Sequence, residues 1–328
     1  MFKALMLRKA DDGKTLASIE DVARQDLPDD AVEIKVAYST LNYKDGLAIT
    51  GRGPVVREWP MIPGIDLAGT VTKSSDATVS EGDEVIVNGH GMGEYHWGGL
   101  AQLARVPANW LTKKPQTLSL KDTASIGTAG YTAALSVLAL ERYGVDAAQG
   151  PILVTGANGG VGSFAITLLA NKGYTVHAST GRPEEAERLK ALGASEIIDR
   201  ASLSEKGRPL QKERWAGAID CVGSHTLANV CAQTQYGGVV TSCGLAQGMD
   251  FPASVAPFIL RGITLAGIDS VYAPQTLREQ AWALLAEDAI RKKIPNIAHT
   301  ISLADSITYA ATLLRGEVAG RVVVDVTL

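Results

Sequence analysis

Val154-Thr155-Gly156-Ala157-Asn158-Gly159-Gly160-Val161-Gly162-Ser163 is the stretch on which the reading of this chain turns. Just ahead of it, Ile152-Leu153-Val154 is a short apolar run of the kind that forms a buried strand. Behind it, Val161, Ala165 and Leu168 recur at helical spacing, so the glycines lie where a strand turns into a helix. Such a turn offers backbone N–H groups at the positive end of a helix with no side chain in the way, which is what a pyrophosphate requires. Gly156 suits the tight turn, Gly159 and Gly160 the close approach, and Gly162 the contact of helix with strand, with Asn158 and Val161 completing the loop. The competing reading is a glycine turn that binds nothing. The flanking strand and helix, and the βα units that follow, favour a dinucleotide.

Working outward, Tyr174-Thr175-Val176-His177-Ala178 reads as a second strand, followed by a helix from near Pro183 to near Gly193. Further strands are expected at Glu196-Ile197-Ile198, Ala218-Ile219-Asp220-Cys221, Val239-Val240-Thr241 and Ile263-Thr264-Leu265. Repeated βα units predict a doubly wound parallel sheet with helices on both faces. The second strand ends in Ser179-Thr180-Gly181-Arg182, with no acid before Glu184. An NAD enzyme usually places Asp or Glu there for the ribose 2′-hydroxyl. Two hydroxyls and a guanidinium instead suit a 2′-phosphate, so the expected cofactor is NADP(H). Arg182 as a plain surface charge is the alternative, but a cation just before a helix N-terminus is disfavoured unless an anion joins it.

Up to about residue 115 the texture differs: short β-type runs such as Val32-Glu33-Ile34-Lys35-Val36 and Asp83-Glu84-Val85-Ile86-Val87 alternate with turn residues. Ile49 to Pro63, with three prolines and two glycines, reads as loop. Ser119 and Asp122 open an Ala/Leu/Val-rich stretch to Glu141, closed by Gly144, which predicts one or two helices. A charged amphipathic helix over roughly Gln275 to Arg291 is followed by strands ending in Arg321-Val322-Val323-Val324-Asp325-Val326. The expected architecture is a β-rich lobe, 1–123 and 271–328, with an α/β domain, 124–270, inserted in it.

Among 328 residues, 31 basic side chains face 35 acidic ones for a net charge of −4, with no Lys/Arg block, which argues against nucleic acid or a polybasic membrane anchor as partner. A hydrophobic fraction of 46% excludes wholesale disorder. Met1 to Leu7 meets charge too soon for a signal peptide, and the apolar stretch Ile152 to Ala170 is broken by glycines and an asparagine, so a cytoplasmic protein without a membrane span is expected. Cys221, Cys231 and Cys243 form no CxxC pair, and the first lobe has no cysteine and only His90 and His96. That composition argues against zinc.

Leu41-Asn42-Tyr43-Lys44-Asp45, Pro63-Gly64-Ile65-Asp66-Leu67-Ala68-Gly69, Gly127-Thr128-Ala129-Gly130-Tyr131, the glycine loop and Cys243-Gly244-Leu245-Ala246 together resemble the zinc-free quinone oxidoreductase branch of the medium-chain dehydrogenase/reductase superfamily. Glu94-Tyr95-His96-Trp97-Gly98-Gly99 and Pro257-Phe258-Ile259-Leu260-Arg261 resemble more particularly its subgroup of NADPH-dependent acrylyl-CoA reductases. The resemblance implies a Rossmann doubly wound sheet inserted in a β-rich GroES-like catalytic domain, and commonly a homodimer. Ile263 to Ile268 is a candidate edge strand for such pairing. The zinc members carry metal ligands at positions that here are Asn42, Ile65 and Ser125. By resemblance, Leu245, Ile259 and Ser270 lie on segments lining the nicotinamide side, and Arg200 serves the adenosine end.

The implied reaction is hydride addition to the β-carbon of acrylyl-CoA and protonation of the α-carbon, giving propionyl-CoA. A conjugated alkene needs no Lewis acid, only donors at the carbonyl oxygen and a proton source. Asn42, Tyr43 and Lys44 are the candidates for positioning the reactants, with Tyr43 or water as acid. Against these stand plainer roles: Asn42 as a cap, Tyr43 as packing, Lys44 paired with Asp45. Related enoyl-thioester reductases use a tyrosine in the loop that here is Gly51 to Trp59, which has none. Arg52 and Arg57 in that loop are candidates for the CoA phosphates, or solvated surface charges. The competing functions are a quinone or general enone reductase, and a dinucleotide-binding sensor without catalysis.

Overall fold

Ile152–Val154, Val176–Thr180, Trp215–Asp220 and Thr234–Ser242 are runs with few charges, and most of their side chains are buried, as strands covered on both faces require. A computed structural model describes the chain from Met1 to Leu328. In it these strands join Glu196–Asp199 and Thr264–Gly267 in a six-stranded sheet with every neighbour parallel. From one edge to the other the strands are Glu196–Asp199, Val176–Thr180, Ile152–Val154, Trp215–Asp220, Thr234–Ser242 and Thr264–Gly267. In chain order that is 3-2-1-4-5-6, the dinucleotide-binding order, which reverses direction between the first and fourth strands. All six sequence-predicted strands are present, shifted by up to a few residues.

The chain divides into two compact units: Met1–Thr128, Ser270–Glu279 and Ala298–Leu328 form one, Ala129–Asp269 and Gln280–Ile297 the other. The expectation placed the whole of 271–328 with the β-rich lobe. Residues 280–297 instead belong with the α/β unit, where helix Asp288–Arg291 packs on helix Gly160–Asn171. Asn171 Nδ2 donates to Glu287 at 2.8 Å and Lys293 Nζ to the Ala191 carbonyl at 2.7 Å. The amphipathic helix expected over Gln275 to Arg291 is two helices, Gln275–Leu285 and Asp288–Arg291, separated at Glu287, whose backbone is extended.

The β-rich unit holds a seven-stranded sheet in which Val32–Leu41 pairs antiparallel with Asp66–Ser74, Leu103–Val106 and Arg321–Asp325. Its core gathers Leu5, Ile34, Val36, Leu67, Val87, Val106, Val322 and Val324. Helix Tyr43–Thr50 takes the first two residues of the segment expected to be loop, then stops at Gly51 in the left-handed region. Helix Leu120–Arg142 is opened by Ser119 and Asp122, each side chain capping the other's backbone N–H at 3.0 Å, and is interrupted at Gly127. This helix is long and apolar enough to cross a membrane by length and composition, but 89% of its apolar window is buried inside the protein, as in a core helix.

Candidate active site

Asp66 is an acid set in an apolar strand, 2% exposed, and the segments around it are arranged to satisfy it. Its carboxylate accepts from Thr40 Oγ1 at 2.6 Å, Asn88 Nδ2 at 2.7 Å, Asn42 Nδ2 at 2.9 Å, the Thr128 N–H at 3.0 Å and Thr128 Oγ1 at 2.5 Å. Arg321, 3% exposed, stands 3.4 Å away and completes a buried ion pair. Burial pushes the Asp66 carboxyl up, but Arg321 and the hydroxyl and amide donors outweigh it and hold it below the usual range. Arg321 also donates from Nη1 to Asn42 Oδ1 at 2.7 Å and from Nε to the Ser125 carbonyl at 3.3 Å. Gly127 makes room for this: at φ 48° a side chain is disfavoured, and a Cβ would lie 2.3 Å from Arg321 Nη2 and 2.8 Å from Asp66 Oδ2.

The three positions that the resemblance assigns to metal ligands in zinc members hold an amide, an alkyl side chain and an alcohol. Asn42 Oδ1 and the Ser125 carbonyl hold a guanidinium, the Ser125 hydroxyl donates to the Lys121 carbonyl at 2.8 Å, and Ile65 offers only its N–H, to Asp45 at 3.0 Å. No group of three His, Cys, Asp or Glu side chains converges anywhere in the chain. These residues do not fit zinc.

Asn42 caps helix Tyr43–Thr50, its N–H donating to Asp45 Oδ2 at 2.7 Å. Its side-chain amide is wholly taken up by Thr40, Asp45, Asp66 and Arg321. Asp45 is 1% exposed, and burial, with the Asp66 charge adding, pushes its carboxyl up to about 6. Lys44 does not pair with Asp45: it reaches Glu94 at 2.9 Å, because Asp45 turns inward at the cap. Tyr43, the first residue of the helix, is 43% exposed. Arg52 and Arg57 are exposed, the second with its N–H on the Glu94 carbonyl at 2.9 Å. His90 stacks on Trp110, and burial with Arg278 nearby pulls it down to about 4, so it is neutral at neutral pH. His96 is held between Asp30 and the Trp97 carbonyl.

In the α/β unit, helix Gly160–Asn171 begins with Gly159 exposed as its N-cap, leaving the first N–H groups clear of side chains. Gly156 turns at φ 60°, and a Cβ on Gly162 would lie 2.4 Å from the Gly156 carbonyl, so only glycine admits this contact of helix with turn. Asp220, ending the fourth strand, accepts from Thr155 Oγ1 at 2.7 Å and the Gly223 N–H at 2.7 Å, fixing the neighbouring turn. The loop is a cradle that fits a pyrophosphate.

At the end of the second strand, Ser179 and Thr180 are buried. Thr180 Oγ1 accepts from Asn158 Nδ2 at 2.9 Å and the Arg182 N–H at 3.0 Å, tying the strand end to the glycine loop. Arg200 lies across Gly181 so closely that a Cβ there would meet its Nε at 2.3 Å. Arg200 thus brings its guanidinium to this corner, where Arg182 is anchored by its backbone N–H. Arg188, which sequence reading missed, donates to Asn158 Oδ1 at 3.2 Å and Ser163 Oγ at 3.3 Å while paired with Glu185 at 2.7 Å. Leu245 and Ile259 are exposed in this unit at 46% and 73%, whereas Ser270 lies in the β-rich unit, its carbonyl 3.4 Å from Arg278 Nη2.

Residues 28–116 match the alcohol dehydrogenase GroES-like domain, and residues 160–287 the zinc-binding dehydrogenase domain. The chain is 48% identical over 328 residues to the acrylyl-CoA reductase AcuI of Ruegeria pomeroyi, covering 99% of each. It is 45% identical to YhfP of Bacillus subtilis, named a putative quinone oxidoreductase, covering 99% of this chain and 98% of that one. The yhdH oxidoreductase of Salmonella enterica, solved with NADP, superposes with a TM-score of 0.96 at 48% identity over 99% of both chains. The YhfP structure, solved with NAD, gives 0.95 at 45% identity, also over 99% of both. The chain belongs to the medium-chain dehydrogenase/reductase superfamily, within the group that contains AcuI and YhfP.

Proposed function

We propose that the protein reduces the C=C bond of a short enoyl-CoA, acrylyl-CoA to propionyl-CoA, with NADPH as reductant. The observation that carries this reading is Arg321. A fixed guanidinium bridges Asn42 and Ser125, positions that the resemblance assigns to metal ligands in zinc members, so the chemistry suited to the site is one that needs no Lewis acid. Reduction of an alkene conjugated to a thioester is such a reaction. The full-length likeness to AcuI supports the substrate class, and Arg182 and Arg200 beside the glycine loop support the phosphorylated cofactor.

Reduced nicotinamide, when bound, supplies the hydride that the β-carbon accepts. The protein's own part is to stabilise charge on the thioester oxygen and to deliver a proton to the α-carbon. Asn42 has no spare donor, so its part is to hold the first turn of helix Tyr43–Thr50 in place. Tyr43 presents its exposed phenol from that turn as the proton donor, and Lys44, steadied by Glu94, supplies positive charge beside it. Arg52 and Arg57 are the cations we assign to the CoA phosphates. Tyr43→Phe should lower kcat about a hundredfold with little change in KM for NADPH. An unchanged kcat would transfer the proton to water.

Steady-state rates with acrylyl-CoA, free acrylate and benzoquinone test the assignment. A strong preference for the CoA ester is expected. Equal efficiency with the quinone would favour the second reading, a quinone or enone reductase, which the likeness to YhfP supports. We further propose a cytoplasmic homodimer. Thr264–Gly267 is an open sheet edge, and Val255 and Leu260 just before it are 68% and 61% exposed. Light scattering should return twice the chain mass.

A further inference from the structure

Asp220 and Ser242 are register partners where the fourth and fifth strands of the parallel sheet end, and each is followed by a cysteine. We propose that Cys221 and Cys243 form an oxidation site, which a hydroperoxide closes to a disulfide and which thereby weakens dinucleotide binding. Their Sγ atoms already lie 3.8 Å apart in a thiol hydrogen bond. Neighbouring strands run about 4.7–4.9 Å apart, inside the Cα separation a disulfide accepts, so closure needs rotation of side chains rather than a new backbone path. Both residues are partly exposed, and neither is tied up in a disulfide.

The consequence follows from what Cys221 touches. Its N–H donates to Thr155 Oγ1 at 3.0 Å, one residue before the glycine turn, and a Cβ on Gly156 would lie 3.2 Å from its own. On the other side, the Cys243 N–H and Sγ both reach the Asp220 carbonyl, at 2.9 and 3.3 Å. Drawing the sulfurs together therefore pulls on the turn that shapes the pyrophosphate cradle.

The chemistry balances with the peroxide as the only oxidant. The Cys243 thiolate attacks one oxygen of the peroxide; the S–O bond forms as the O–O bond breaks, the other oxygen leaves as an alcohol or water after taking a proton, and a sulfenic acid results. The Cys221 thiol displaces hydroxide from that sulfur, releasing water and forming the S–S bond. The hydrogen bond to Cys243, with burial, pushes the Cys221 thiol up. Attack by Cys221 first, with Cys243 resolving, balances in the same way. Cys231 is a built-in bystander: fully buried, its thiol is pushed by burial to about 12.

The test uses the whole protein, freed of reductant and titrated with hydrogen peroxide. Thiols counted under denaturing conditions should fall from three to one with a loss of about 2 Da, reversed by dithiothreitol. Affinity for NADPH should fall about tenfold in the oxidised form, as when one charge-assisted hydrogen bond is lost. Cys231→Ser should still close, whereas Cys221→Ser should neither lose the 2 Da nor change its affinity on treatment. Three thiols remaining, oxidation without the mass loss, or a disulfide that leaves NADPH affinity unchanged would each overturn the proposal. The thiol count does not depend on what the enzyme reduces. A reduced protein that ignores NADPH would instead refute the cofactor reading, and the proposed effect on binding with it.

Discussion

Two corners of the molecule gather charge, and they do so in opposite ways. Around Asp66 and Arg321 the ion pair itself is buried and is held by donors and acceptors from within the chain, and the glycine at 127 leaves room for the guanidinium. Around Thr180 the hydroxyls are buried, Arg182 is half-buried and Arg200 is exposed, next to a glycine loop whose N-cap Gly159 is also exposed. The first corner is closed on itself, which suits a fixed electrostatic frame. The second keeps Arg200 and the N-cap glycine of the loop at the surface, which suits a ligand site.

The largest effect expected is on the closed corner. Arg321→Met leaves Asp66 buried without its cation and should cost about 3–5 kcal/mol in urea unfolding. Pairing it with Asp66→Asn should recover much of that loss. A tolerated Arg321→Met would mean that the corner is not closed in the sense argued here.

Next in size is a pH effect at Asp45. Its carboxyl is raised from 3.8 to about 6, first by burial, so the folded protein keeps a proton that the unfolded chain releases. Stability from this group is full below about pH 3.8 and is lost as pH rises through about 6, in all about 3 kcal/mol for a shift of roughly two units. Asp45→Asn should flatten the stability curve across that window. Equal slopes in both proteins would contradict the assignment.

The open corner should respond in ligand binding rather than in folding. Arg182→Ala should weaken NADPH about ten- to a hundredfold and NADH little, the range for a hydrogen bond to a charged group. Equal losses for both cofactors would remove the distinction between the corners. Smallest is the surface pair of Lys44 and Glu94, where Glu94→Gln should change stability by about 1 kcal/mol or less.

The open corner was legible in the sequence because its parts are local. Glycine loop, strand and arginine lie within thirty residues or so and obey spacing rules that follow from backbone geometry. The closed corner was not, because it joins Asn42, Asp66, Ser125 and Arg321 across 279 residues of chain. Its only sequence traces are an acid inside Gly64-Ile65-Asp66-Leu67-Ala68 and a cation heading Arg321-Val322-Val323-Val324. Both are charges where burial makes charge costly, and read as a pair they point to each other. The Gln275 to Arg291 helix was misjudged for a related reason: periodicity identifies an apolar face but does not say which core receives it.

One measurement bears most directly on the central claim. The purified protein is given acrylyl-CoA and NADPH carrying deuterium at both C4 positions of the nicotinamide, and the product is analysed by mass spectrometry. The account predicts propionyl-CoA with a single deuterium, on the β-carbon. Product labelled at the α-carbon, or NADPH oxidation only when a quinone is supplied, would contradict it.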